Sequence, residues 1–150
     1  MPQSLARMVV HLIFSTKNRA PDITESIRSD LHAYLGGTLS RLGCVVIQIG
    51  GPQDHVHALF SLPRTVTIAD LVEELKRDSS KWVKEKWPVA TDFYWQKGYG
   101  VFSVSHSHAN IVADYIANQV AHHQTVTFQD EYRQLLNKNG VIFDERYVWE

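Results

Sequence analysis

The sequence is poor in the features that mark secreted, membrane-spanning and strongly basic proteins. Its single cysteine, Cys44, cannot pair within the chain, so we expect a reducing cytoplasm and no disulfide scaffold. No apolar run approaches the roughly 20 residues that a membrane-spanning helix needs. The short apolar segment near the N-terminus ends in polar residues and does not predict a signal peptide. The formal net charge of −1 lacks the positive excess of many nucleic-acid-binding domains.

The chain does contain enough apolar residues for one folded domain. A length of 150 residues with 44% hydrophobic residues predicts a single domain over residues 1–150 with a buried core. Charge is uneven, because residues 76–86 carry five basic side chains against two acidic ones. A local basic patch is therefore compatible with the neutral total.

Hydrophobic periodicity predicts an α+β fold. A helix from Asp22 or Thr24 to about Leu42, with a kink at Gly36 and Gly37, and a long helix capped by Thr67 alternate with strands. The predicted strands span residues 8–15, 44–51, 55–62 and about 99–105. This order matches the ferredoxin-like split βαβ pattern, in which two helices cover one face of a four-stranded antiparallel sheet. Two C-terminal helices follow, over residues 109–123 and 127–140, the second ending at Gly140.

The third strand separates two histidines from an apolar face. Its period of two turns Val56, Ala58 and Phe60 toward the helices and leaves His55 and His57 side by side on the open face. Two imidazoles at this spacing can reach one divalent cation. Taken alone, a pair of half-exposed strand histidines explains the motif equally well.

The helix over residues 109–123 carries Tyr115 and Gln119 four residues apart, and therefore on one face. A phenol beside a metal can act as a nucleophile, because the cation stabilises the phenolate and polarises the electrophile. The amide oxygen of Gln119 suits a hard cation. Taken alone, such a tyrosine and glutamine are more often edge residues of an amphipathic helix.

Together these residues resemble the single-tyrosine HUH transposases, which carry His-hydrophobic-His on a sheet strand and Tyr-x-x-x-Gln on a later helix. More narrowly, the chain is similar to the insertion-sequence-200-like group, which includes the transposases associated with repetitive extragenic palindromes. The likeness covers nearly the whole chain, through the segments "HLIFSTKNR", "DHVHALFSLP", "SKWVKEKWP", "FYWQKGYGVFSVS", "YIANQVAHH" and "FDERYVWE".

The resemblance implies a DNA transposase that cleaves and rejoins single-stranded DNA at hairpin-flanked ends through a 5′-phosphotyrosine intermediate. It implies Tyr115 as the nucleophile, His55 and His57 as ligands of Mg²⁺ or Mn²⁺, and Gln119 as a third ligand. Because these ligands are few and uncharged, the cation keeps its full positive charge and has room to bind the phosphate. A homodimer in the cytoplasm of a bacterium or archaeon, bound to hairpin DNA, is expected. Use of Tyr115 by its own subunit or the partner's stays open.

Other side chains are candidates for supporting roles. His11 lies mid-strand, where it either supports the site or lines the sheet, and His122 lies on the side of Tyr115. Arg77, Lys81 and Lys84 share the outer face of the long helix, where they suit DNA phosphates or, equally, helix ion pairs and the helix dipole. We interpret most of the histidines at positions 106, 108, 122 and 123 as solvated surface side chains.

Three other functions compete with the transposase interpretation. A histidine-triad nucleotide hydrolase is excluded, because Leu59 stands where that motif needs its third histidine. A non-catalytic module that binds hairpin DNA or RNA would tolerate the loss of Tyr115. A metal-binding sensor would need no tyrosine beside its metal. The joint presence of the histidines, Tyr115 and Gln119 favours an enzyme, in a mobile element or as a domesticated host protein.

Overall fold

The computed structural model describes residues 2–150, and its centre is a four-stranded antiparallel sheet. The strands are β1 (Val9–Ser15), β2 (Val45–Gly50), β3 (His55–Ser61) and β4 (Gly100–Val104). They lie in the order β2-β3-β1-β4, and every neighbouring pair is antiparallel. This confirms the predicted α+β fold, including the hairpin between β2 and β3.

Two long helices cover one face of this sheet, α1 (Glu25–Arg41) and α2 (Ile68–Lys86). The helix α1 is continuous through both of its glycines, so the kink suggested by the sequence is absent among the 17 residues of α1. The hydroxyl of Thr67 caps α2, as predicted, by accepting a hydrogen bond from the backbone N–H of Asp70 at 3.2 Å.

The main hydrophobic core lies between these helices and the sheet. Alternate residues of β1 and β3 face it, among them Leu12, Phe14, Val56 and Phe60, all fully buried. Leu71 of α2 packs into the same cluster. Burial of each such side chain contributes roughly 1.5–3 kcal/mol, so this core fixes which face of β3 is turned away from α1 and α2.

Three shorter helices lie on the other face, α3 (Ala109–Ala117), α4 (Gln119–His122) and α5 (Phe128–Lys138). The single helix predicted over residues 109–123 is divided at Asn118, whose φ of −99° and ψ of 18° end α3. Gly140, with a φ of +68°, follows the end of α5, as predicted. Within the part of the chain that the structure describes, no helix is long and apolar enough to cross a membrane.

Two glycines let α3 and α5 approach the sheet closely. A Cβ added to Gly50 would lie 2.5 Å from the carbonyl oxygen of Ile116 on α3. A Cβ added to Gly100 would lie 2.9 Å from the ring and hydroxyl of Tyr132 on α5. Both contacts are shorter than a side chain tolerates, so these glycines set how near the two helices stand to the histidines between them.

Candidate metal and tyrosine site

Four ionisable side chains meet on the face of the sheet that α3, α4 and α5 cover. His55 and His57 come from β3, His123 follows α4, and Glu131 belongs to the first turns of α5. One candidate ligand atom from each residue can be chosen so that all four atoms lie within 4.8 Å of one another. The two strand histidines and Glu131 are buried, and the side chain of His123 is only 8% exposed.

One carboxylate oxygen stands at the centre of this cluster. Glu131 Oε1 lies 3.1 Å from Nε2 of His55, 3.1 Å from Nε2 of His57 and 2.9 Å from Nε2 of His123. Imidazole nitrogens and carboxylate oxygens bind divalent metals at roughly 2.0–2.2 Å, so small side-chain shifts would bring all four groups to one ion. The donor set therefore fits a divalent metal.

The second oxygen of Glu131 faces Tyr115. The Tyr115 hydroxyl donates a hydrogen bond to Glu131 Oε2, and Gln119 Nε2 donates another to the same oxygen at 3.0 Å. The ring centroid of Tyr115 lies 5.8 Å from that of His57. The phenol of this chain thus stands beside the histidine cluster of the same chain.

Two further groups hold the strand histidines from behind. Nδ1 of His55 lies 2.6 Å from Oδ1 of Asp54, and Nδ1 of His57 lies 2.7 Å from Nε2 of His11. A hydrogen bond to the ring nitrogen that does not face the metal fixes the tautomer and orientation of a metal-binding imidazole. His11 therefore contacts the back of His57, and Nε2 of both strand histidines points into the cluster.

Burial and charge set the protonation of the histidines. Burial lowers the pKa of His11 to about 3 and that of His57 to about 4, although Glu131 partly opposes both shifts. Burial also disfavours charge on His55, but hydrogen bonds to Asp54 and Glu131 outweigh it and raise the pKa of His55. Neutral imidazoles are the form that binds metals, so the lowered pKa of His57 favours that form at neutral pH.

The same surroundings keep Glu131 ionised and Tyr115 protonated. Burial alone would favour a neutral Glu131, but hydrogen bonds from the histidines hold the pKa of its carboxyl far below the usual range. Burial, together with the neighbouring carboxylate, raises the pKa of Tyr115 above its ordinary value. The phenol therefore stays protonated at neutral pH and donates its hydrogen to the carboxylate.

The predicted residues Gln119 and His122 also lie in this cluster. Gln119 is buried, with Oε1 3.2 Å from Nε2 of His55. Nε2 of His122 lies 3.4 Å from Oε2 of Glu131, and its ring centroid is 5.3 Å from that of Tyr115. The side chain of His122 is 30% exposed, so it lies at the rim of the site.

The predicted DNA-contacting residues Arg77, Lys81 and Lys84 do not join the site. All three belong to α2, which packs on the opposite face of the sheet. Nζ of Lys84 stands 3.8 Å from the ring centroid of Tyr94, and Nζ of Lys81 lies 4.0 Å from Glu85 Oε1. Their contact with DNA stays a prediction.

Sequence reasoning missed two members of the cluster. The interpretation of most of the later histidines as solvated surface side chains does not hold for His123. The ligands expected from the sequence, two histidines and a glutamine, did not include the carboxylate of Glu131. A signal for Glu131 was present, since it lies within the apolar stripe of α5 formed by Phe128, Tyr132 and Leu136. A charged residue in such a stripe needs buried polar partners.

Comparison with known proteins identifies one family. Residues 4–119 match the sequence family described as "Transposase IS200 like". A presumed transposase from Deinococcus radiodurans R1 has a similar structure, with a TM-score of 0.65 and 24% identity over 79% of this chain and 98% of that chain. The REP-associated tyrosine transposase bound to a REP hairpin gives a TM-score of 0.62 and 12% identity, over 84% and 74%. These structures support the fold. No curated protein sequence matches significantly.

Proposed function

Because the chain belongs to the IS200-like transposase family, we propose that it cleaves and rejoins single-stranded DNA through a covalent bond between Tyr115 and a 5′-phosphate. The observation that carries this proposal is the hydrogen bond from Tyr115 to Glu131, whose other oxygen contacts His55 and His57. A phenol is thereby held beside a candidate metal site. The nucleophile and both strand histidines lie within the residues that match the family.

The proposed reaction exchanges one phosphoester for another. Oη of Tyr115 forms a bond to the phosphorus of the scissile phosphodiester, and the bond from phosphorus to the 3′ oxygen breaks. The phenol loses its proton and the departing 3′ oxygen gains one, which leaves a free 3′-OH and a 5′-phosphotyrosine. Because the bond energy is kept in the intermediate, the reverse attack by a 3′-OH rejoins DNA without ATP.

The chain's own residues supply position and charge for this step. His55 and His57, with the amide oxygen of Gln119, are proposed to hold Mg²⁺ or Mn²⁺, and His11 orients His57. When bound, such an ion withdraws charge from the phosphate and offsets the charge that Glu131 places beside the phenol. Because Tyr115 lies beside its own chain's histidines, we propose that it acts on DNA bound at the site of its own subunit. The homodimer therefore stays a separate prediction.

Hairpin DNA is the substrate that we propose. The REP-associated tyrosine transposase, which has a similar fold, is bound to a REP hairpin. A cytoplasmic enzyme acting on single-stranded DNA with such hairpins would use the cluster for cleavage and another surface for holding the hairpin. The basic side chains of α2, among them Lys81 and Lys84, are candidates for that second surface, on the far side of the sheet.

Intact mass spectrometry tests the proposal. The protein is mixed with single-stranded hairpin oligonucleotides from the DNA that flanks its own gene, with Mn²⁺ or Mg²⁺. We expect a mass increase equal to one cleaved fragment, which disappears with EDTA and in Tyr115→Phe and His57→Ala. Tyr147→Phe is the matched control, because Tyr147 is exposed and outside the cluster. Hairpin binding without any adduct in either cation would instead identify a non-catalytic binding module.

A further inference from the structure

Two members of the cluster lie beyond the residues that match the family. The match ends at residue 119, whereas His123 and Glu131 follow it along the chain. We propose that these two residues join His55, His57 and the amide oxygen of Gln119 as ligands of one divalent transition-metal ion, and that Glu131 also anchors the hydroxyl of Tyr115. The metal site can be tested alone, but the role given to Tyr115 rests on the proposed function.

The geometry around one oxygen carries the ligand assignment. Three imidazoles direct the same nitrogen, Nε2, at Glu131 Oε1, at 2.9 to 3.1 Å. As arranged, side chains from a strand, a helix end and a second helix donate hydrogen bonds to this oxygen. Once the three nitrogens release those protons, their lone pairs and the carboxylate are directed at one point, as the ligands of a cation are. Because Glu131 and His57 are buried, water contributes little to stabilising the carboxylate charge, and a cation held here would add to the hydrogen bonds that Glu131 already accepts. Rotation of Glu131 to one side would make room for the ion.

The donor types indicate the class of metal. Mg²⁺ prefers oxygen ligands in octahedral geometry and keeps several waters. Imidazole suits first-row transition metals, and carboxylate suits Mn²⁺ as well. Three imidazoles and one carboxylate therefore favour a transition metal over Mg²⁺, so Mn²⁺ fits this site better than Mg²⁺ does.

Glu131 also connects the metal site to the nucleophile. Its Oε1 contacts the histidines, while its Oε2 accepts hydrogen bonds from Tyr115 and Gln119. A carboxylate bound to a metal through one oxygen keeps the other free to hold a hydroxyl. The distance between the ion and the phenol would then be set by a single side chain of α5.

Metal binding in the absence of DNA tests this assignment. Affinity for Mn²⁺ is measured by electron paramagnetic resonance on the full chain and on His123→Ala and Glu131→Gln. Loss of a ligand should weaken binding by about 100-fold or more, since loss of an outer partner alone costs roughly 10–100-fold. His108→Ala and Glu85→Gln, at exposed positions, are the matched controls and should bind as the unaltered chain does. Mg²⁺ should displace Mn²⁺ only at about 100-fold excess or more.

Three results would overturn the assignment: undiminished Mn²⁺ affinity in both variants, no Mn²⁺ binding by the unaltered chain, or equal affinity for Mg²⁺. If Glu131→Gln does not fold, Glu131→Asp keeps the charge on a shorter side chain and should bind Mn²⁺ more weakly. Failure of the ligand assignment and failure of the proposed DNA cleavage give different results. Tight Mn²⁺ binding that needs His123 and Glu131, without any DNA adduct, would refute the proposed function alone. An adduct that forms unchanged in both variants, with undiminished metal affinity, would refute the ligand assignment alone.

Discussion

The two faces of the sheet are built from alternate residues of the same strands, but they differ in chemistry. Toward α1 and α2, β3 presents Val56, Ala58 and Phe60 to an apolar core. Toward α3 and α5, the same strand presents His55 and His57 to a carboxylate. A shift of one residue in strand register would exchange the two sets. The apolar face therefore fixes the direction of the histidines, and the core positions the site.

Burial is maintained differently on the two faces. The core side chains need only good packing. Glu131 is as buried as they are, with 1% of the residue exposed, and it is compatible with folding because histidines, Tyr115 and Gln119 satisfy both oxygens. The face covered by α1 and α2 should thus govern stability, while the face that carries His55 and His57 should govern metal binding and chemistry.

The largest effect on stability is expected on the core face. Phe60→Ala removes a fully buried ring from the central cluster and should lower the free energy of unfolding by about 3–5 kcal/mol. Urea unfolding measures the change, with Ser61→Ala, at a partly exposed neighbour, as the control. At a temperature where the variant is still folded, its Mn²⁺ affinity should equal that of the unaltered chain. A parallel loss of affinity would show that the faces are not separable.

This difference also explains what could be predicted from sequence. Four strands, α1, α2 and the direction of His55 and His57 follow from local periodicity, because one apolar face repeats every two residues and helix caps such as Thr67 are local. His123 and Glu131 could not be assigned in the same way. The apolar stripe of α5 marks Glu131 as a buried charge, but its partners, like those of His123, depend on the break at Asn118 and on how α5 docks, which are tertiary properties.

A smaller effect is expected where α3 meets the sheet. Gly50→Ala would place a Cβ 2.5 Å from the carbonyl oxygen of Ile116, so α3 must move outward. We expect a loss of about 1–3 kcal/mol in stability, as for overpacking elsewhere, together with slower formation of the DNA adduct. Gly37→Ala is the control, because a Cβ there has no neighbour within 4 Å. An adduct rate unchanged from the unaltered chain would mean that α3 does not position Tyr115.

His32 offers a comparison with His57, because the pKa of each is lowered to about 4. Burial and the charge of Arg28 lower the pKa of His32, which lies in α1 outside the cluster. The unfolded chain, with a pKa near 6.5, takes up the proton first, so the free energy of unfolding should fall as the pH drops from about 6.5 toward 4.

The replacement His32→Gln should remove that part of the pH dependence. Between pH 7.5 and pH 5 the variant should lose about 2 kcal/mol less stability than the unaltered chain. Urea unfolding at the two pH values measures the difference. An identical pH dependence in both proteins would contradict the assignment of the shift to His32.

The smallest effects come from a matched pair of helix caps. Thr67 caps α2 through Asp70, and Thr127 caps α5 through Asp130, each with a hydrogen bond of 3.2 Å. Replacement of either threonine by alanine should cost about 1 kcal/mol of stability. Only Thr127→Ala should also weaken Mn²⁺ binding, because α5 carries Glu131. Equal affinity in the two variants would argue against α5 as a source of a metal ligand.

The claim that the histidine side of the sheet performs the chemistry is tested most directly by identifying the residue to which DNA becomes covalently attached. The complex formed with a flanking hairpin oligonucleotide and Mn²⁺ is digested, and the peptides are sequenced by mass spectrometry. If the side of the sheet that carries the histidines performs the chemistry, we expect a nucleotide attached to Tyr115, on the peptide that contains this residue. A nucleotide on another residue, or hairpin DNA that is bound but never attached, would contradict the assignment of Tyr115 as the nucleophile.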